Sequence, residues 1–530
     1  MDRNSATGLF LIGLVVLGYM WYVSPSEEEI QRQRAIQDSI QAAQEQVELP
    51  DQVESPTPIT PEEIQPETQT VTEDDSLVKS LAQQEKLARF GLFAPSSEGS
   101  DDEFRVETDL YIATFQSKGG QIKSLELKEY KTYDQAPLIL FDEEAELEYI
   151  FQLHSGQLIS TSDLYFSPQD LPRSTLEDGS TTLIMRASSS DPSKYVDISY
   201  DLTAGSYEVD VAVDLVGMAD VVDLKRNDIV LNWEMVAQVK EKSKEREMER
   251  SGIFYRYKDE QREYLSEGKE DEEELEAKVN WVAFKQNFFS VVALHPEGFI
   301  SSNSMVSHAP AEEEENTMKY NAELTLPVEF TPDPHIAYSI YAGPNKYSIL
   351  KAYDNEMDRI IDLGWGIFGW MNKWLVIPIF NFLSRFISSY GVIILILTVV
   401  IKMLLFPLTY KNYLSSAKMR ALKPEIDELN KKFENEKDPM KKQQATMSLY
   451  KRSGVNPAAG CLPMLVQMPI LYAMFRFFPA SIELRQEPFL WADDLSSYDS
   501  ILDLPFEIPL YGDHISLFTL LMALSTFLYT

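Results

Sequence analysis

Gly391 to Leu408 reads GVIILILTVVIKMLLFPL, an apolar run broken by one charge, Lys402. A bilayer crossing takes roughly 20 apolar residues, so 390–408 is read as a transmembrane helix. Entry at Gly391 and a rise of 1.5 Å per residue put Lys402 about 16–17 Å deep. That is near the middle of a hydrocarbon core about 30 Å thick. A lysine there costs about 2.5–3.5 kcal/mol on insertion scales. Two readings stay open. Either the ammonium serves a wet cavity or a partner, or it snorkels back to the interface along its own methylenes. Thr398 lies one turn earlier and shares the face.

Outward from this run, charge sets the topology. The 530 residues carry a formal charge of −37, yet Leu408 to Val455 holds eleven Lys/Arg against six Asp/Glu. That local excess argues for a segment held in the cytoplasm by the positive-inside rule. The acidic remainder would face outward, where it repels phosphates and gives no support to a nucleic-acid partner. At the N-terminus, residues 1–23 combine Arg3 with an apolar stretch ending in Trp21, Tyr22 and Val23. These bulky residues stand where a signal peptidase needs small ones, so an uncleaved signal anchor is expected.

The organisation expected between these landmarks follows from composition. Residues 24–103 read as an acidic disordered tether. Ser24 to Asp75 alone holds fourteen Asp/Glu, two Lys/Arg and six prolines, too little apolar surface to fold. Residues 104–350 turn to period two. Val196, Ile198, Tyr200 and Leu202 alternate with polar residues, and after Ala204-Gly205-Ser206 so do Val209, Val211, Val213 and Leu215. Two half-buried strands joined by a turn are predicted, within a large antiparallel β-sandwich. The charged stretch Lys240 to Lys278 is read as a solvated insertion or surface helix, or as a face for a partner. Residues 351–389 are a linker followed by an amphipathic helix. Its aromatic side (Trp365, Phe368, Trp370, Trp374, Phe382, Phe386) suits either the membrane interface or packing on the β-domain.

Beyond the membrane run, 409–455 is read as a cytoplasmic helical hairpin. Met419, Leu422, Ile426, Leu429 and Phe433 form a coiled-coil seam, and Met440, Met447 and Tyr450 a returning stripe. Its cations Lys418, Arg420, Lys423, Lys431 and Lys432 could meet anionic lipid, a ribosome or a targeting factor, or simply be solvated. Residues 456–479 are a further transmembrane helix with Gln467 as its central polar residue. Met464, Met468 and Met474 there offer adaptable contacts or ordinary packing. Arg476, near the outer end, can reach headgroups. Residues 480–513 read as a periplasmic loop, and 514–530 as the start of another transmembrane helix at which the chain stops.

Enzyme chemistry finds no foothold. There is no Walker loop, dinucleotide fingerprint or His-Glu-x-x-His. The one cysteine, Cys461, permits no intramolecular disulfide or cysteine zinc cluster, and the five histidines are scattered. No catalytic residue, metal or cofactor is expected.

Several motifs resemble a known family. They are Thr398 to Met419 (TVVIKMLLFPLTYKNYLSSAKM), Leu422-Lys423-Pro424, Asn456-Pro457, Gly460 to Pro463, Gln467-Met468-Pro469-Ile470 and Ser481 to Phe489 (SIELRQEPF). Their order and spacing are similar to those of YidC-type membrane protein insertases, with a weaker match at Trp281-Val282-Ala283-Phe284 in the soluble domain. The resemblance implies an α+β membrane protein of the bacterial inner membrane, multi-pass, with a helical core, a cytoplasmic hairpin and a periplasmic β-supersandwich. It implies insertion and folding of nascent membrane proteins, alone or beside the Sec translocon. It also implies a hydrophilic groove holding one positive residue, usually arginine, and Lys402 falls at that position. A lysine keeps the charge but loses the planar fork that grips a carboxylate at two points. Thr398 and Gln467 would share the groove, and Met464, Met468, Pro469 and Leu471 would touch passing substrate helices. The family's last two membrane helices lie beyond the residues of this chain. A rival reading, a membrane-tethered periplasmic carbohydrate-binding or sugar-active β-sandwich protein, leaves Lys402 and the basic hairpin without a role. A solute transporter would call for an internal repeat, and none is visible.

Overall fold

A computed structural model describes residues 74–529, apart from 143, 171–178, 224–228, 259, 329–330, 332, 354, 433–438, 455–461 and 509–511. The signal anchor, the tether up to residue 73, the Asp438 break and the Asn456-Pro457 start lie outside the described residues.

The period-two pattern becomes a β-domain. Strands Tyr195–Thr203 and Glu208–Val216 pair antiparallel with Leu202 opposite Val209, Tyr200 opposite Val211 and Ile198 opposite Val213. All six face the core, while Gly205 makes the turn at φ 77°, a conformation glycine adopts without penalty. The two strands belong to a fourteen-stranded sheet folded into two layers. The strand Phe289–Pro310 joins them. Its first residues pair with His335–Pro344, and after a register shift between Ile300 and Met305 the rest pairs with Asn316–Leu326. The layers meet face to face. Tyr149 and Tyr338 put their hydroxyls 2.6 Å apart, and Trp233 stacks on Phe284 at 4.1 Å. Trp281, Val282, Ala283 and Phe284 are all buried, so this strand is covered on both faces and reads as a continuous apolar run. A separate four-stranded sheet begins at Glu103.

Four expectations need correction. The tether does not extend to residue 103. Helix α1 (Asp74–Phe90) and a 3₁₀ turn (Gly91–Ser97) precede the first strand. The turn is fixed by Phe93, which packs edge-on against Phe151 at 6.0 Å, and by Ser96, whose hydroxyl donates to the Ser188 carbonyl. A single apolar anchor outweighed the acidic composition of its surroundings. The stretch Lys240 to Lys278 is solvated only in its second part, where most residues from 260 on are exposed. Lys240 and Glu247 are buried, helix α2 (Lys244–Met248) is one short turn, and Gly252–Tyr257 is a core strand. The charges are absorbed locally, because Glu247 Oε2 accepts the backbone N–H groups of Lys240 (2.9 Å) and Glu241 (3.0 Å). Of the returning hairpin stripe, Tyr450 is half-buried as expected, but Met440 and Met447 are exposed, and Lys442, Ala445, Thr446 and Leu449 are half-buried in their place. The 480–513 loop contains a strand, Leu502–Ile508, paired with Gly512–Ile515, and the final helix begins at Leu517 rather than residue 514. Ser516 sets that start by accepting the Thr519 N–H at 3.1 Å, an N-cap.

From the β-domain the chain leaves through helix α3 (Tyr347–Ala352) and a 3₁₀ turn (Met357–Ile360). Helices α4 (Ile367–Met371) and α5 (Ile377–Ser384) are joined by a π-turn at Asn372–Val376 into one rod. Gly369 is required there, since a Cβ would sit 2.3 Å from the Gly364 carbonyl oxygen. The rod buries Asn372, Val376, Ile377 and Phe380 and exposes Trp365, Trp370, Trp374, Phe382 and Phe386 around its other side. Helix α6 (Tyr390–Ala421) then runs unbroken for 32 residues, so the membrane run and the first hairpin arm are one helix, about 48 Å long. The expected boundary at residue 408 is not a structural break. Helices α7 (Lys423–Lys432) and α8 (Pro439–Arg452) complete the hairpin, α9 is Leu462–Ala480 and α10 is Leu517–Tyr529. Among the described residues only Tyr390–Pro407 is long and apolar enough to meet a strict length-and-composition criterion for crossing a membrane, with Leu517–Leu528 a shorter apolar helix.

Candidate functional site

Helix α6 has a narrow packed stripe. Ile393, Leu397 and Ile401 are buried, and Tyr390, Ile394 and Leu405 are half-buried beside them. At 3.6 residues per turn, Thr398 lies roughly 40° and Ile394 roughly 80° around the helix from Lys402. Lys402 therefore sits on the flank of the packed stripe, with Thr398 between them. Both side chains are exposed. The Thr398 hydroxyl donates back to the Ile394 carbonyl at 2.9 Å, which leaves its oxygen as an acceptor towards the flank. Among the described residues no carboxylate pairs with Lys402. Five residues on, Pro407 lies inside the helix. It has no N–H, so the Met403 carbonyl next to Lys402 loses its usual donor.

Helix α9 packs on α6 with Ile470, Ala473 and Phe477 buried. Gln467 is half-buried at the same spacing, so it belongs to the packed face rather than to lipid. Met468, Leu471 and Phe475 lie three and four residues apart and are exposed, which makes them one apolar stripe. Pro469 is half-buried between the two faces. Met464 lies within α9, but its side chain is outside the described residues. The structure thus brings Met468 and Leu471 together and adds Phe475; Gln467, one turn before Leu471, is half-buried at the edge of the packed face. The hairpin cations Lys418, Arg420, Lys423, Lys431 and Lys432 are all exposed.

The outer ends of these helices are fixed by residues that the sequence pattern did not single out. Asn372 is buried, and its amide donates to the Leu363 and Ala473 carbonyls, each at 2.8 Å, stitching the interfacial rod to α9. Phe380 packs on Tyr390 at 5.7 Å and on Phe477 at 5.3 Å. Gly391 lies under the Phe489 ring, where a Cβ would come within 2.1 Å. Arg476 does not reach for headgroups alone but pairs with Asp362 at 2.9 Å. Arg485 and Gln486, in the loop after α9, grip the β-domain. Arg485 Nε donates to Glu241 Oε1, and Gln486 Nε2 to the Thr132 carbonyl at 2.8 Å. Burial pushes the Glu241 carboxyl up to about 8 against the downward pull of the Arg485 guanidinium. Burial also pushes Glu247 up and brings Lys240 down to about 8. No sequence period could reveal the Arg485 and Gln486 contacts, which join residues 244 and 354 positions apart.

Residues 103–378 match a model described as the YidC periplasmic domain, and residues 382–530 one described as the 60Kd inner membrane protein. The chain is 36% identical, over its full length and 83% of the relative's, to the membrane protein insertase YidC of Parabacteroides distasonis. The insertase of Porphyromonas gingivalis is 35% identical with the same coverage, and that of Phocaeicola vulgatus 36% with 82% of the relative covered. The chain belongs to the YidC membrane protein insertase family. As a YidC insertase it acts on membrane proteins in the inner membrane, and its β-domain is the family's periplasmic domain. That assignment displaces the sugar-active rival as a reading of the whole chain.

Proposed function

We propose that this insertase works as a multi-pass membrane protein in which α6 and α9 both cross the bilayer and Lys402 supplies the charge of a hydrophilic groove. The observation that carries the reading is Lys402 itself: exposed, on the flank of the α6–α9 packing, with no carboxylate partner among the described residues. An uncompensated ammonium held at mid-membrane lowers the cost of bringing a polar, often acidic, polypeptide end partway across. Thr398 adds a hydroxyl oxygen on the same flank. The arriving apolar segment then moves along Met468, Leu471 and Phe475 into lipid, favoured by about 0.8 kcal/mol per CH₂ transferred. No nucleotide is consumed, and the protein is no enzyme. The exposed aromatic side of the interfacial rod lies at the headgroup level. The basic hairpin receives clients from a ribosome or targeting factor, and the Sec translocon is a partner for some of them.

Site-specific photocrosslinking from positions 402, 467 and 468 to a stalled nascent membrane protein tests this. Adducts are expected from 402 and 468, and weaker ones from the packed position 467. Adducts to acyl chains alone from position 402 would sink the groove.

A further inference from the structure

A cavity of about 550 Å³ opens where the β-domain, the linker, the interfacial rod and the outer end of α9 meet. Four cations line it: Arg262 from the β-domain, Arg359 from the linker, Lys373 from the rod and Arg476 from α9. The acid among the lining residues is Asp362. Lys373 pairs with Asp358, Arg476 with Asp362 and Arg359 with Glu356, each at 2.9 Å. Glu356 is shared, because its other oxygen takes Arg256 Nε at 2.9 Å. Four cations therefore pair with three carboxylates. Arg262 makes no ion pair among the described residues; Asp362 and Glu267 act on it only at longer range, and its guanidinium lies over the Phe254 and Tyr264 rings at 4.8 and 5.3 Å. Its Nη1 is shut off from water and meets no acceptor among the described residues, an unfavourable state for a charged donor.

Trp365 and Trp370 also line the cavity and are 74% and 60% exposed. Tryptophan indoles settle at the headgroup level of a bilayer, and a volume of this size accommodates a headgroup with its glycerol. A soluble anion would account for the cations but not for the two indoles beside them. We infer that this cavity binds the phosphate headgroup of an acidic phospholipid of the outer leaflet, with Arg262 and Lys373 as its cationic contacts and the two tryptophans against its glycerol and upper acyl chains. The inference rests on α9 crossing the membrane and is independent of Lys402.

The full chain, carried in nanodiscs of equal phosphatidylglycerol and phosphatidylcholine, is released and weighed intact by native mass spectrometry. The wild type is expected to retain phosphatidylglycerol. Arg262→Gln and Lys373→Gln are each expected to lower that retention about tenfold, the loss of one charged hydrogen-bond contact. Lys258→Gln, elsewhere on the β-domain, is expected to leave it unchanged. Lys373 is partly exposed, so its variant decides the matter if Arg262→Gln fails to fold. Wild-type retention in Lys373→Gln would overturn the site. Release of the lipid by millimolar inorganic phosphate alone would overturn the lipid assignment in favour of a free-phosphate site.

Discussion

Arg485 and Glu241 form a buried ion pair, Nε to Oε1 at 2.7 Å, between the loop that follows α9 and the β-domain. Their side chains are 3% and 12% exposed. The guanidinium also donates to the Lys240 carbonyl at 3.2 Å and lies 5.3 Å from the Phe289 ring. The membrane part and the periplasmic domain are therefore joined by a desolvated contact and not by the linker alone. Removing Arg485 leaves the Glu241 carboxyl buried without its donor and favours its protonated form further.

Arg485→Ala is expected to destabilise this junction by about 1–3 kcal/mol, the cost of a buried polar group left without its partner. Hydrogen exchange of the detergent-solubilised protein would show faster exchange in residues 240–250 and 481–487, with the β-domain core unchanged. Unchanged exchange at both segments would mean that the pair contributes nothing to docking.

The same cluster makes the junction sensitive to pH. Burial raises Glu241 from an ordinary 4.5 to about 8 and raises Glu247 in the same direction. A carboxyl whose folded value exceeds its unfolded one adds stability below the unfolded value and loses it as pH rises through the folded one. Junction stability should therefore fall between about pH 4.5 and 8. Lys240 acts in the opposite sense, from about 8 towards 10.5, which flattens the profile above pH 8. Asp494 faces the cluster and favours the protonated Glu241 carboxyl, while Asp142 favours the charged Lys240 ammonium. Thermal melting followed across this range should show the decline, and Glu247→Gln should reduce its slope.

At the proposed groove, Lys402→Ala and Lys402→Glu should impair insertion of a client with an acidic terminus more than Lys402→Arg does, since arginine keeps the charge. An in vitro insertion assay with proteoliposomes distinguishes the three. Equal activity in all of them would remove Lys402 from the mechanism.

Gly391→Ala places a methyl group within the Phe489 ring. Overpacking of this kind costs about 1–3 kcal/mol. A lower melting temperature is expected, with a second substitution, Phe489→Leu, restoring part of it. Additive losses in the double variant would show that the two sites do not meet.

Much of the site was legible along the chain because its signals are local. A lysine inside an apolar run carries its cost in the sequence, and Thr398 follows from helical spacing. The face that Met468 and Leu471 share is likewise a matter of spacing, and the hairpin Val196–Leu215 is written in alternation. Boundaries were less legible. Nothing between Pro407 and Asn412 marks the end of the membrane run, since the helix does not end there, and the acidic segment ends where Phe93 and Ser96 dock on the β-domain. Charge-rich stretches misled most. The residues from Lys240 look solvated by composition, yet Glu247 is taken up by backbone amides and Glu241 by Arg485.

By itself the sequence determined the alternation of the β-domain, the apolar run with its one charge and the basic stretch that follows, because each depends on neighbours within a few residues. Only the tertiary structure decided that Gln467 packs while Met468 is exposed, that Arg485 locks onto Glu241, and that Arg262, Arg359, Lys373 and Arg476 line one cavity. Those relations depend on which distant surfaces exclude water from one another, and no local period encodes that.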